Sequence, residues 1–407
     1  MKVTLATVGS RGDVQPMIAL AQALQRRGHQ PLIAAPPNFE KWVRSHQVPF
    51  APLGCDMQAW IAENAKLVSG NPIKLFKGMT QYFNEHLPAQ FRDLVAAGQG
   101  TDAIVIAGLA FSGPSVAEHL KVPILAVAYT PSILPASAHP PPTIPWHGLP
   151  AWMNDLLWRA SNFVGSTMVL DALNEGRARL KLEPVVNLGP HLYEEAPFII
   201  AADELLFPPD AGWNERHRYA NFLYYDDPSP LDGELDAWLK DGEAPVFVGF
   251  GSMSGDGIDR VAAMMTQAIV KSGRRCLVGA GWSGLGGGEL PKGWRQVREA
   301  PHALLFPRMA VVVHHGGSGT TANALRAGVP QVILPLILDQ FYHAHRLHVA
   351  GLAPKPTPME SITASKLAAA IEEALALPGG VRQATAERLR ASDGAGQIVS
   401  RIEALRR

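Results

Sequence analysis

The stretch His314-His315-Gly316-Gly317-Ser318-Gly319-Thr320-Thr321 decides how this chain reads. Before it lies an apolar run, Met309 to Val313, with the character of a buried strand. After it, Ala322-Asn323-Ala324-Leu325-Arg326-Ala327-Gly328 reads as a helix closed by a C-terminal glycine. A strand, a glycine turn and a helix start together make an anion site. The first N–H groups of a helix have no intrahelical acceptor, and the helix dipole adds partial positive charge there. Gly316, Gly317 and Gly319 let a ligand approach the backbone closely. Ser318, Thr320 and Thr321 offer hydroxyls, and His315 a ring N–H. A diphosphate suits such a site. The competing account is a tight turn whose glycines serve packing only.

Downstream, Val329-Pro330-Gln331-Val332-Ile333-Leu334-Pro335 reads as a second strand, followed by Leu338-Asp339-Gln340-Phe341. The carboxyl ends of parallel strands are where open α/β sheets bind ligands. Asp339 accepts hydrogen bonds, and Gln340 donates and accepts, a combination that reads adjacent sugar hydroxyls. Taken alone, the pair is more simply a helix cap, with Asp339 capping the helix through Tyr342, Ala344 and Leu347.

Working outward, 407 residues exceed one typical core and imply two domains. Hydrophobic residues make up 47% and charged residues 18%, a globular composition with ample core material. The net charge of +0 leaves no electrostatic footprint for nucleic acid or an anionic membrane. Cys55 and Cys276 fall in different halves, so neither a disulfide framework nor a cysteine zinc site is expected, in keeping with a cytoplasmic protein. Met1 to Val8 is too short and too soon broken by glycine for a signal peptide, and no run of about 18 apolar residues stands for a membrane span.

The two halves share one plan. The first opens with a strand, Val3 to Val8, and the turn Gly9-Ser10-Arg11-Gly12-Asp13. A helix follows, with Pro16 in its first turn, apolar Met17, Ile18, Leu20, Ala21 and Leu24 at helical spacing, and Gly28 at its end. Leu32–Ala35, Ala103–Ala107 and Ile124–Ala128 read as further strands, with a helix over Pro114–Leu120. The second half repeats this with a strand Pro245–Phe250, a turn Gly251–Gly255, a helix Ile258–Ser272 and a strand Arg275–Ala280. Such alternation predicts an α/β architecture of two Rossmann-like, doubly wound parallel sheets facing across a cleft. The expected divisions are a first domain over 1–205, a linker over 206–235 containing Pro208-Pro209 and Asp226–Pro230, and a second domain over 236–393.

Two stretches of the first half are less regular. One, Cys55 to Phe91, carries Met57, Trp60, Leu67, Ile73, Leu75, Phe76, Met79, Tyr82 and Phe83. The other, Thr130 to Phe163, carries Pro140-Pro141-Pro142, Trp146, Trp152, Met153, Leu156, Leu157 and Trp158. Most of these residues read as core faces of helices, and some as the wall of an apolar acceptor pocket.

The combined pattern resembles the GT-B nucleotide-sugar glycosyltransferases of the family 1/28 type, and within them the sterol glucosyltransferase and glycopeptide or macrolide branch. Gly9-Ser10-Arg11-Gly12-Asp13-Val14-Gln15-Pro16 is similar to that branch's amino-terminal signature. Pro301-His302, Leu305-Phe306-Pro307-Arg308, His314–Thr321, Leu325–Gly328, Pro335 and Asp339-Gln340-Phe341 are similar to its donor signature, in order and spacing. The resemblance implies an inverting hexosyltransferase that uses a UDP-sugar, UDP-glucose first, and a hydroxyl of a sterol, lipid, polyketide or flavonoid. It places Asp13 as general base and Gly9, Ser10 and Gly12 on a turn facing the diphosphate. Ser252, Gly317, Ser318 and Thr320 fall on diphosphate contacts beside Gly319, His315 on a phosphate oxygen, and Asp339 and Gln340 on the sugar. His302 falls within the donor signature. Glu299 stands where plant members stack a tryptophan on the base, leaving Trp282 as the candidate for that role, and Asn323 stands at their ribose-binding glutamate. The resemblance also implies that no metal and no permanently bound cofactor is needed, and that the final helix, about 394–407, returns to the first domain. A monomer or weak dimer is expected, and contact with a membrane surface is left open.

Asp13 also reads as a helix cap. No histidine competes with it clearly, since His29, His86, His119 and His139 lack a partner motif, and no spacing suggests metal ligands. Two other functions stay open: a nucleotide-sugar epimerase, which needs no apolar acceptor wall, and a non-catalytic nucleotide-sugar binder.

Overall fold

A computed structural model describes residues 1–64, 72–250, 258–271, 273–279 and 290–405. The Gly251–Gly255 turn with Ser252, and also Leu67 and Trp282, lie outside the described residues. The first sheet has seven parallel strands: β1 (Lys2–Val8), β2 (Gln30–Ala35), β3 (Phe50–Pro52), β4 (Ala103–Gly108), β5 (Ile124–Ala128), β6 (Phe198–Ala201) and β7 (His217–Ala220). Their order is β3-β2-β1-β4-β5-β6-β7. The second sheet has β8 (Val246–Gly249), β9 (Cys276–Gly279), β10 (Trp294–Val297), β11 (Val311–His314) and β12 (Gln331–Ile333), in the order β10-β9-β8-β11-β12.

Both orders reverse at one place, between β1 and β4 and between β8 and β11. At such a switch point the two flanking crossovers run to opposite faces, and a crevice opens at the strands' carboxyl ends. Val8 pairs with Gly108 at the first of these, and His314 with Gly249 at the second. The Gly9–Asp13 turn leaves the first crevice and the His314–Thr321 turn leaves the second.

Period-two alternation sets the cores. Val3 and Leu5 join Val14, Met17, Ile18, Val105 and Ala107 on one face of the first sheet. Ala6, Val8, Ile104 and Ile106 join Phe83, Leu87, Phe91 and Leu173 on the other, beneath two long helices, Pro72–Ala97 and Ala151–Arg179. The same core cluster continues into the second half through Leu325, Ile333, Tyr342 and Leu347, so the halves are packed together. The helix Gly394–Ala404 buries Ile398, Val399 and Ile402 among Val14, Met17 and Leu24 of the helix Arg11–Arg26.

Two local features depart from the sequence reading. The helix after β1 begins at Arg11, so Pro16 sits in its second turn. A capping box explains this: the Ser10 side chain accepts from Gly12 N at 3.2 Å, and Asp13 accepts from Ser10 N at 2.7 Å. Residues 217–220, within the stretch expected as linker, form the edge strand β7, and 221–232 carries no helix or strand. The helical core faces read in the two less regular stretches belong to helices of 26 and 29 residues.

Candidate functional site

Asp13 is the third residue of its helix, and its carboxylate folds back over the turn it caps. Oδ2 accepts from Ser10 N at 2.7 Å and from Ser10 Oγ at 3.2 Å. Gly9, at φ +156°, allows this, because a Cβ there would overlap Asp13 Oδ2. Oδ1 lies 3.1 Å from where a Cβ of Gly108 would stand, so the carboxylate is wedged between the ends of β1 and β4. Burial raises its pKa to about 6 against the Ser10 hydrogen bonds, and the Asp339 carboxylate across the cleft adds to the rise. Ser10, not Asp13, is therefore the N-cap, and Asp13 is its capping-box partner inside the helix. One oxygen holds the cap, and the group is recessed, perturbed and faced by the other half.

The opposing wall is the glycine turn after β11. His314 is fully buried and structural: its Nδ1 accepts from Gly316 N at 3.1 Å and its Nε2 meets Gln331 Oε1 at 3.0 Å. Gly316 has φ +93°, and a Cβ would collide with Ile333 and crowd the backbone of Gln340. His343 Nδ1 meets the Gly316 carbonyl at 2.7 Å and so pins the turn from below. Gly317 is the N-cap of the helix Ser318–Ala327 and provides no side-chain cap. The N–H groups of Ser318, Gly319 and Thr320 thus head the helix without intrahelical acceptors. Gly319 has open space about it, and the His315 ring lies over Gly317, where a Cβ would stand 2.5 Å from Nε2. Among the described residues His315 Nδ1 is buried without a hydrogen-bond partner. Burial pushes His315 down to about 4, so the ring is neutral at neutral pH.

Asp339 opens the helix Asp339–Val349 as its first residue, while Leu338 stands at the N-cap without a side-chain bond. Asp339 is therefore not the cap. Leu338, directly before the Asp-Gln pair, carries φ +52°, a left-handed region disfavoured for leucine. Burial holds Asp339 above the ordinary carboxylate range, opposed by His343, 3.8 Å from Oδ2. Gln340 does not keep both its functions for a ligand: its Oε1 accepts from Leu336 N at 2.9 Å and Ile337 N at 3.1 Å. Only its amide N–H groups remain to offer. Asn323 likewise donates to the Gly319 carbonyl at 2.8 Å, which leaves its oxygen as the free group.

Contacts across the cleft join the two walls. Ser318 Oγ donates to the Tyr129 carbonyl at 2.8 Å. Arg11 pairs with Glu299 at 2.6 Å and lies 4.7 Å above the Trp42 ring. His302 stacks on Phe306 at 4.3 Å, and burial, with Arg11 nearby, pushes it down to about 4. Glu299 is thus an interdomain ion-pair partner. Gly9, Ser10, Gly12 and Asp13 line one wall; His315, Gly317, Ser318, Gly319, Thr320, Asp339 and Gln340 line the other, with His302 at the edge near Arg11. The sequence reading missed Tyr129, Arg11 and His343. Tyr129 directly follows β5, at the sheet's ligand edge, which is the one signal that could have found it.

Among the described residues no group of three or more His, Cys, Asp or Glu is arranged to hold a metal ion. Nor does any described helix have the length and apolarity to cross a membrane.

Comparison with known proteins fits this geometry. Residues 3–138 match the glycosyltransferase family 28 N-terminal domain, and residues 282–402 the erythromycin biosynthesis protein CIII-like C-terminal domain. Glycosyltransferase GtfE of Amycolatopsis orientalis is 34% identical over 403 residues, covering 97% of this chain and 95% of its own. The chain belongs to the GT-B glycosyltransferases. Another relative of this glycosyltransferase is the sterol 3-beta-glucosyltransferase UGT80A2 of Arabidopsis thaliana, 31% identical over 91% of this chain and 60% of its own length. In fold, the glycosyltransferase VinC, solved in complex with DTDP, superposes with a TM-score of 0.72 over 100% of this chain and 99% of VinC, at 20% identity.

Proposed function

We propose that this glycosyltransferase moves a hexose, glucose first, from a nucleotide diphosphate sugar to a hydroxyl of an apolar small molecule, with inversion and with Asp13 as general base. The observation that carries the proposal is the convergence on one cleft of a recessed carboxylate, Asp13, with an uncapped helix start, Ser318–Thr320, and a second carboxylate, Asp339. The half over 1–205 takes the acceptor and the half over 236–393 the donor.

In this reading the diphosphate lies on the N–H groups of Ser318, Gly319 and Thr320, with the neutral His315 ring donating from a nitrogen. Asp339 and the Gln340 amide hold sugar hydroxyls. The acceptor oxygen attacks the anomeric carbon as the bond to the diphosphate breaks, and its proton passes to Asp13. A carboxyl held near 6 is mostly ionised at pH 7 yet basic enough to take a proton, the compromise a general base needs. The helix start and turn stabilise the departing diphosphate, the electrostatic part that preorganised dipoles serve. Attack opposite the leaving group gives a β-glucoside from an α-linked donor.

The acceptor wall has support of its own. Trp60 Nε1 is buried without a hydrogen-bond partner among the described residues, Tyr82 Oη interacts with Cys55 and the Gln90 side chain beside it, and Phe83 stacks on Phe111 at 5.1 Å, three residues beyond Gly108. An aromatic wall with a few polar atoms in it suits an apolar acceptor with a few polar substituents. UGT80A2 points to sterols, and a vancomycin aglycone glucosyltransferase of Amycolatopsis orientalis among the relatives points to glycopeptide aglycones, as the first classes to try. The test is incubation with UDP-glucose or dTDP-glucose and a panel of sterols, polyketides, flavonoids and glycopeptide aglycones, read by mass spectrometry. A hexose adduct with matching nucleotide release is expected. Donor binding without an adduct across the panel would contradict the transfer.

A further inference from the structure

Tyr129 touches both walls of the cleft, through different atoms. Its hydroxyl donates to the Asp13 carbonyl oxygen at 2.9 Å, an oxygen that Thr7 Oγ1 also approaches at 3.4 Å. Its own carbonyl accepts from Ser318 Oγ at 2.8 Å, 189 positions along the chain. The Tyr129 ring packs in the core that holds Val14, Met17, Val105 and Val127, so the residue is stiff. An α-helix already gives a carbonyl near its start an N–H from four residues on. The tyrosine hydroxyl is therefore not required to complete the helix ladder. What it adds is a fixed place for the Asp13 peptide relative to Ser318.

We infer that Tyr129 is a positioning residue, a strut that sets the reach from the Asp13 carboxylate to a sugar held at the Ser318 helix start. The inference rests on the base reading of Asp13. Ser318 is the residue through which donor binding would be felt, and its hydroxyl faces the Tyr129 carbonyl, not the open cleft. Chemistry of this type is sensitive to reach, and a displacement of about 1 Å costs on the order of a hundredfold in rate. Losing the hydroxyl while keeping the ring frees the peptide by a fraction of that.

The experiment is Tyr129→Phe in the full chain, with kcat, the KM of donor and acceptor, and Tm measured together. The strut predicts a kcat lower by about tenfold, both KM values within about twofold, and little change in Tm. A lower Tm with unchanged kcat per folded enzyme would make Tyr129 merely structural and overturn the inference. In a double-mutant cycle with Ser318→Ala, kcat losses smaller than the product of the single losses are expected, because both variants cut one chain of contacts. Strictly multiplicative losses would overturn the coupling. Should Tyr129→Phe not fold, Thr7→Val removes the longer hydroxyl contact to the same carbonyl. It should lower kcat by about twofold at unchanged KM, and an unchanged kcat would refute the strut. Asp13→Asn separates the two levels. Near-normal turnover there removes the base reading and the strut with it, whereas an inactive Asp13→Asn beside a fully active Tyr129→Phe removes the strut alone.

Discussion

Replacing Asp13 by Asn is expected to lower activity and raise stability at the same time. The carboxyl is held at about 6 instead of the ordinary 3.8, mainly by burial between the ends of β1 and β4. That makes it a weaker acid by roughly a hundredfold, or about 3 kcal/mol of strain on the charged form. The sign follows from linkage. A carboxyl whose folded pKa lies above its unfolded pKa contributes its full stability below 3.8 and loses it as pH rises through about 6. At pH 8 the native protein carries the whole penalty, and a neutral amide does not. Asn retains an oxygen for the Ser10 N–H, so much of the capping box survives. The variant should therefore be more stable than wild type by about 1–3 kcal/mol at pH 8, with the difference vanishing near pH 4. Turnover should fall by about a hundredfold or more, the usual range for a lost general base. Thermal unfolding at pH 4.5 and pH 8, alongside nucleotide release with saturating acceptor, measures both. A variant with near-normal turnover, or one equally destabilised at both pH values, would refute the reasoning.

Other consequences follow from the same geometry. His315→Ala should weaken binding of the free nucleotide diphosphate by calorimetry. Because the ring is held neutral down to about pH 4, the wild-type affinity should owe no titration to this residue between pH 6 and 8. Asp339→Ala should raise the donor KM and leave free nucleotide binding nearly intact. It should also move the acid limb of kcat/KM below about 6, since one of the charges that raises Asp13 is gone; burial is the larger cause, so the move should be well under the full rise. Ile402→Ala should destabilise the first half by about 2–5 kcal/mol as a buried large-to-small change. Domain-resolved hydrogen exchange should place that loss around β1 and the helix Arg11–Arg26, not in the second sheet.

The parts of the site that were legible in the sequence share a physical cause. A switch-point turn needs glycine where the backbone bends or a side chain leans in, and Gly9 and Gly316 meet those needs beside apolar strands. The face formed by Ile398, Val399 and Ile402 was legible because its spacing is helical and its neighbours are polar. The edge strands β3, β7 and β10 were not, because short half-exposed strands such as His217-Arg218-Tyr219-Ala220 lack an apolar run. The helix Ala151–Arg179 was legible as a helical core face but not in its bounds, because apolar residues lie all round it, with Trp152, Leu156 and Phe163 exposed and Trp158, Val169 and Leu173 buried. The early start of the helix at Arg11 was hidden because its capping box uses Asp in place of the usual Glu or Gln. Tertiary contacts explain the rest. Nothing local announces that Gln340 spends its carbonyl on Leu336 and Ile337, or that Ser318 and Tyr129 meet across 189 positions.

The central claim is direct displacement at the anomeric carbon by an acceptor hydroxyl whose proton goes to Asp13. The anomeric configuration of the product, read from proton NMR coupling after transfer from an α-linked nucleotide sugar, tests that claim most directly. A single in-line attack predicts only the β-linked glycoside. An α-linked product would mean retention, and with it a step in which Asp13 is not the base described here.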